Sequence, residues 1–236
     1  MAYLIDNPPR RSQFSDRGVT ISGVIVVHTA ENAPDTIGPD GAAEAVARFI
    51  RDRTTPGSYH WLADSDSLIE LVPMSKAAYG DGTGSNSHAV HISAATQAHR
   101  WASMSREWKT GTVRNMAKAA HEASNMLERV HGVRIPARRV TREQSDRRVE
   151  GFISHGERDP GRRSDPGADF PWSMFLDFYS DLENPEGKAV ETRVQQFRER
   201  FADLLKEARR EIPTDREQAH AGLDAIGEGI EKMPPK

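Results

Sequence analysis

The sequence predicts an α/β fold, and three stretches carry that reading. "ISGVIVVHTA" (21–30) is a near-continuous apolar run rich in β-branched residues, the pattern of a central strand buried on both faces. "TGTVRNMAKAAHEASNMLERVHG" (110–132) repeats apolar residues at helical spacing through Val113, Met116, Ala120, Ala123, Met126, Leu127 and Val130, and Gly132 is placed to cap it. Between them, shorter strand-like runs are separated by glycine-rich and polar turns. A chain of 236 residues is long enough for one domain of ordinary size with an appendage.

In chain order, residues 1–20 read as an irregular arm. The strand at 21–30 follows and ends in His28 and Thr29, at the carboxyl end where open α/β sheets place ligands. "DGAAEAVARFIRDR" (40–53) has helical spacing through Ala43, Val46, Ala47 and Ile50. "GSYHWLADSDSLIELVP" (57–73) reads as two strands around a polar turn at Asp64 to Ser67. By alternation Tyr59 and Trp61 share one face, and His60 takes the other as a structural histidine. "GDGTGSNS" (80–87) is a glycine-rich loop, and "HAVHISA" (88–94) is a strand bracketed by His88 and His91. After the long helix, "VEGFISH" reads as a short strand. The composition shifts near residue 182. This divides the chain into a domain over 1–178, a linker over 179–188, and an amphipathic helical tail over 189–236. The tail's stripe runs through Val194, Phe197, Phe201, Leu204, Leu205, Ala208 and Ile212. A second, weaker helix is expected over 214–232.

Composition removes several classes of function. The net charge of −3 gives no global basic field for nucleic acid. No run approaches the roughly 20 apolar residues of a membrane span. There is no cysteine, so disulfides and cysteine zinc sites are excluded and any metal is held by His, Asp or Glu.

One stretch stands out: "SHGERDPGRRSDPGADFPW" (154–172). His155 ends the strand before it, and Asp165 lies ten residues on. Pro160, Gly161, Pro166 and Gly167 are placed to fold the loop back on itself. A catalytic zinc takes three protein ligands and leaves a position for water. The spacing of His28, His155 and Asp165 is not a compact metal motif. A histidine at a strand end is commonly a hydrogen-bonded rim residue, and an Asp before Pro is commonly a turn former.

Four pieces in one order resemble a known family: "VIVVHTA", "SYHWLADSDSLIELVP", "AAYGDGTGSNSHAVHIS" and "SHGERDPGRRSDPGADFPW". Together, over about residues 20–178, they look like the type-2 N-acetylmuramoyl-L-alanine amidases, which include small phage lysins and the peptidoglycan-recognition proteins. The final piece is the most specific. The resemblance implies a central mixed β-sheet flanked by helices, with a zinc site at one edge of the sheet and here a C-terminal helical extension. It implies His28, His155 and Asp165 as zinc ligands, with peptidoglycan as substrate. The bond is the amide between the lactyl group of N-acetylmuramic acid and the first L-alanine of the stem peptide. Tyr59 and Arg163 take the catalytic positions, and Tyr79 and Asn86 the substrate groove.

Two departures matter. Arg163 stands where the family usually has Lys; it stabilises an oxyanion but is a poor proton donor. Ser93 stands where other members carry a catalytic Glu, and a serine is no carboxylate base. Glu157 is the candidate base that could reach the site from the loop. The expected function is a zinc-dependent peptidoglycan hydrolase of the phage endolysin kind. Such a lysin is made in the host cytoplasm without a signal peptide and acts on the wall after release. The alternative is a non-catalytic peptidoglycan-binding module, and a third class is a structural protein of a phage particle. No nucleic acid and no membrane insertion are expected. The tail is open to three readings: docking on the catalytic domain, self-association or wall binding through a hairpin, or a link to a further module.

Overall fold

The computed structural model describes residues 3–4, 13–30 and 41–211. Its centre is a six-stranded mixed sheet of β1 (Tyr3–Leu4), β3 (Val24–Thr29), β4 (Trp61–Ala63), β5 (Leu68–Glu70), β7 (Val90–Ala94) and β8 (Gly151–Ser154), in the order β1-β5-β4-β7-β3-β8. Only β4 and β5 pair antiparallel, as the hairpin that the Asp64–Ser67 turn predicts; the other neighbours are parallel. Asp64 Oδ1 accepts from the Ser67 amide at 2.8 Å, and Oδ2 accepts from the Ala43 amide at 2.8 Å. One buried carboxylate thus closes the hairpin and caps α1 (Ala42–Asp52). A separate ribbon pairs β2 (Phe14–Asp16) with β6 (Lys76–Ala78).

Alternation along β3 divides the core. Ile25 and Val27 meet α2 (Arg106–His131) and α5 (Trp172–Glu183) on one face. Val24 and Val26 fill a cluster with Ile153, and α1 packs its alanines and Ile50 on Leu62 and Ile69. Ser105 Oγ caps α2 by accepting from the Trp108 amide at 3.1 Å, and Gly132 ends the helix at φ 66°. Gly111 sits mid-helix because a Cβ there would collide with the Ser65 carbonyl. The last turn of α2 departs from the predicted stripe: Val130 is 66% exposed.

The N-terminal arm is not wholly irregular, since it supplies β1 and β2. Where the sequence suggests a linker over 179–188, residues 179–183 end α5 and 185–188 begin α6 (Pro185–Glu211), with Asn184 between them. Tyr179 is fully buried, and its hydroxyl donates to the Ile135 carbonyl at 2.6 Å. The first compact unit therefore runs to Glu183, five residues past the expected boundary. The composition shift marks a helix start instead. Asn184 Oδ1 accepts from the Gly187 amide at 3.0 Å, with Pro185 in the first helical position.

Within the second unit, Phe197 and Leu204 of α6 are exposed, and the Phe197 ring stacks on Phe201 at 5.9 Å. The helix expected over 214–232, with Ile212, lies outside the described residues. Among the described residues no helix is long and apolar enough to cross a membrane.

Candidate active site

β3 and the edge strand β8 are parallel neighbours, so their carboxyl ends deliver His28 and His155 to the same rim. The "SHGE" sequence fixes the second histidine. Ser154 Oγ accepts from the Glu157 amide at 3.1 Å, and the Glu157 carboxylate accepts from the Ser154 amide at 3.1 Å. This capping box starts the short helix α4 (His155–Arg158) at His155. The following loop then turns back. The Gly156 amide donates to the Asp165 carbonyl at 2.7 Å, and Trp101 Nε1 donates to the Pro166 carbonyl at 2.8 Å. Gly167 has φ 101°, and a Cβ there would collide with the Ala98 carbonyl. Phe170 buries against Trp101 in an edge-to-face contact at 5.0 Å, seating the end of the loop on the body.

His28, His155 and Asp165 are all buried, and each offers one donor atom within 4.8 Å of the others. His155 Nδ1 lies 3.1 Å from Asp165 Oδ1, and His28 Nδ1 lies 3.5 Å from Oδ2. The Thr29 amide donates to Oδ2 at 3.3 Å. His28 Nδ1 is a buried nitrogen without a hydrogen-bond partner, since Asp165 is too distant to satisfy it. Burial pushes the His28 imidazolium down and favours the neutral ring, with the His155 charge acting the same way and Asp165 opposing. Burial also works against the Asp165 charge. The adjacent His155 and His28 rings outweigh it and hold the carboxyl well below the usual carboxylate range. A neutral His28 ring and an ionised Asp165 carboxylate are protonation states that a metal cation requires of its ligands.

His155 and Asp165 line an open cleft of about 1360 Å³, while His28 is fully buried. Tyr59, Tyr79, Asn86 and Arg163 all line it, as do Val46 and Phe49 of α1. The Tyr59 ring stands 5.2 Å from the His28 ring. Burial and the Asp165 charge push its hydroxyl up to about 12, so it remains a proton donor. Tyr59 and Trp61 do not share a face as alternation predicts. β4 begins only at Trp61, which turns to the α2 side, while Tyr59 precedes the strand and packs with the α1 cluster. Arg163 is exposed at the rim. Arg162 is engaged elsewhere, donating to the Asp81 carbonyl at 2.9 Å and pairing with Asp159. Asn86 staples the loop beneath the cleft, its Oδ1 accepting from the amides of Gly80 at 3.1 Å and Asp81 at 3.0 Å. Glu157 is consumed by the capping box and an ion pair with Arg139, so it is no base for this site.

Sequence reasoning missed His91 and Asp81. His28 Nε2 lies 3.0 Å from His91 Nδ1, and His155 Nε2 lies 3.3 Å from the Asp81 carbonyl. No local motif announces either contact, because both are made across strands and loops. His60 is fully buried, as expected, with its Nδ1 accepting from the His91 amide at 2.9 Å.

A mixed sheet with a buried His-His-Asp cluster beneath an open groove defines a candidate metallohydrolase. Residues 17–168 match the family described as N-acetylmuramoyl-L-alanine amidase (Amidase_2), and the chain belongs to that family. No curated protein matches the chain. Solved structures similar to it include a selenomethionine derivative of AmpD, at 16% identity over 75% of this chain and 93% of that one, with a TM-score of 0.48. The hydrolase AmiA of Staphylococcus aureus, in complex with its ligand, gives 15% identity over 78% and 84%, with a TM-score of 0.48. The catalytic domain of XlyA gives 17% over 75% and 99%, with a TM-score of 0.46.

Proposed function

We propose that the protein is a zinc-dependent amidase of the phage endolysin kind. It cleaves peptidoglycan between the lactyl carbonyl of N-acetylmuramic acid and the L-alanine nitrogen of the stem peptide. The observation that carries the zinc reading is the unpartnered, buried Nδ1 of His28, facing Asp165 beside His155. His28, His155 and Asp165 are the residues that would hold the ion. When bound, zinc lowers the pKa of water towards about 7 and polarises a carbonyl.

The chain's own groups supply the rest. The Thr29 amide fixes the orientation of the Asp165 carboxylate. Tyr59, protonated through the neutral range, donates to the oxyanion that develops as the amide carbonyl becomes tetrahedral. Arg163 brings a permanent positive charge to the cleft rim, suited to the same developing charge. The apolar wall of Val46 and Phe49 and the side chain of Tyr79 offer a groove for the glycan or stem peptide. Synthesis in a host cytoplasm and release to the wall belong to the same reading.

The test is elemental analysis of the purified protein, with mass spectrometry of muropeptides after digestion of whole walls. About one zinc per chain and stem peptides with a free N-terminal alanine are expected. Zinc without cleavage would instead favour a binding module. The absence of both zinc and cleavage would overturn the proposal.

A further inference from the structure

We propose that His91 is a positioning residue for His28, and that with the Gly80–Asn86 loop it selects Nδ1 as the metal-facing nitrogen of both histidines. This rests on the zinc reading above.

The two histidines are held alike. Each turns Nδ1 towards Asp165 and buries Nε2 against the protein. For His155 the partner is the Asp81 carbonyl, which can only accept, so the proton sits on Nε2 and the Nδ1 lone pair is left for a cation. For His28 the partner is His91 Nδ1 at 3.0 Å. An imidazole can accept or donate. With a cation on His28 Nδ1, His28 Nε2 keeps the proton and donates a hydrogen bond to His91 Nδ1, which puts the His91 proton on its buried Nε2, a nitrogen without a hydrogen-bond partner.

His91 is built to stay in place. Its backbone amide donates to His60 Nδ1 at 2.9 Å, and its ring stacks on the His60 ring at 5.7 Å with 11° between planes. His60 Nε2 lies 2.8 Å from Arg17 Nη2 and 3.1 Å from the Lys76 carbonyl, which hold the ring from its other side. Arg17 braces the surrounding backbone by donating to the carbonyls of Met74, Ser87 and Ala89. The ring also needs the space at Gly80, where a Cβ would collide with it. Asn86 holds Gly80 and Asp81 together through their amides, so one loop makes room for His91 and presents the carbonyl to His155.

The experiment measures zinc dissociation constants by chelator competition for the full chain and for His91→Leu, His91→Gln and Asn86→Ala, with the melting temperature of each metal-free protein. His91→Leu removes the acceptor, and a loss of about 10–100-fold in zinc affinity is expected. His91→Gln keeps an acceptor oxygen and is expected to recover most of that loss at a similar metal-free melting temperature. Asn86→Ala, with His91 intact, is expected to weaken zinc in the same direction. Wild-type affinity in His91→Leu overturns the assignment. So does an equal loss in the Leu and Gln variants, which would mark a packing role. Unchanged affinity in Asn86→Ala overturns the loop's part. A wild-type chain that binds no zinc overturns the zinc reading itself, whereas zinc-binding wild type with an unaffected Leu variant overturns only the role of His91.

Discussion

The ring of Tyr59 packs 5.2 Å from the ring of His28. Ser93 is the register partner of His28 across β3 and β7. That position holds a neutral hydroxyl, and in the proposed mechanism Tyr59 is the proton donor beside the cluster. Removing its hydroxyl as Tyr59→Phe is expected to lower kcat by about 10²–10³, as for loss of one oxyanion donor. Zinc content is expected to stay at the wild-type level. Steady-state kinetics on soluble muropeptides check this, and an unchanged kcat would remove Tyr59 from the mechanism.

Zinc binding to the folded chain alone stabilises it by mass action. At 100 times its dissociation constant a ligand adds about 2.7 kcal/mol. For a protein of this size that corresponds to a rise in Tm of roughly 5–10 °C. Differential scanning fluorimetry with zinc, then with excess chelator, is expected to show the rise and its reversal. In Asp165→Ala both should vanish, because the carboxylate that faces both histidines is gone.

The long periodic segments were legible because their own residues dictate them. β3 and α2 form where the apolar pattern places them. The order of motifs pointed to His28, His155 and Asp165, but spacing alone did not. Their meeting depends on β3 and β8 being parallel neighbours, which no local window encodes. The start of α4 was readable in principle from the capping box in "SHGE". α5 was readable too, from Phe175, Tyr179 and Leu182 at helical spacing. The asparagine and proline that follow look like a linker, yet they are a helix cap and first turn. His91 escaped because its role lies wholly in a contact between strands.

The return of Asp165 to the histidines depends on Gly167. A side chain there meets both a positive φ of 101° and the Ala98 carbonyl. Backbone strain of this kind costs about 1–3 kcal/mol before any collision is counted. Gly167→Ala is expected to lower the metal-free Tm and to weaken zinc, since Asp165 is two residues away. Gly161→Ala is the control: φ is 94°, but nothing stands within 4 Å of the new Cβ. It should carry the strain alone. Equal effects of the two variants would show that the Ala98 contact does not set the loop.

Two truncations separate the boundary drawn by composition from the one drawn by packing. A chain ending at residue 183 keeps Tyr179 buried and keeps Glu183 paired with His121, at 2.7 Å, and with Arg134. It is expected to retain zinc binding and a cooperative melt. A chain ending at residue 178 loses these groups, and a buried aromatic by itself is worth about 3–5 kcal/mol. That is a large share of the roughly 5–15 kcal/mol of a typical domain. Its melt is expected at much lower temperature. Similar melts for the two would return the boundary to 178.

Acid should destabilise the metal-free protein through its buried histidines. Burial lowers His60 from 6.5 to about 3, with the Arg17 charge adding to the effect. Burial likewise lowers His88 to about 4, helped by the charges of Arg148 and Arg158. Unfolded, each takes up a proton near pH 6.5; folded, neither does until well below that. Between these values the unfolded chain binds more protons, so stability falls as pH falls. The slope is about 1.4 kcal/mol per pH unit for each histidine. The loss begins near pH 6.5, and it levels off near pH 4 for His88 and near pH 3 for His60. Urea midpoints measured from pH 7.5 to 5 in the presence of chelator are expected to drop steadily below pH 6.5. A flat profile over that range would mean that these rings are protonated in the folded chain as readily as in the unfolded one.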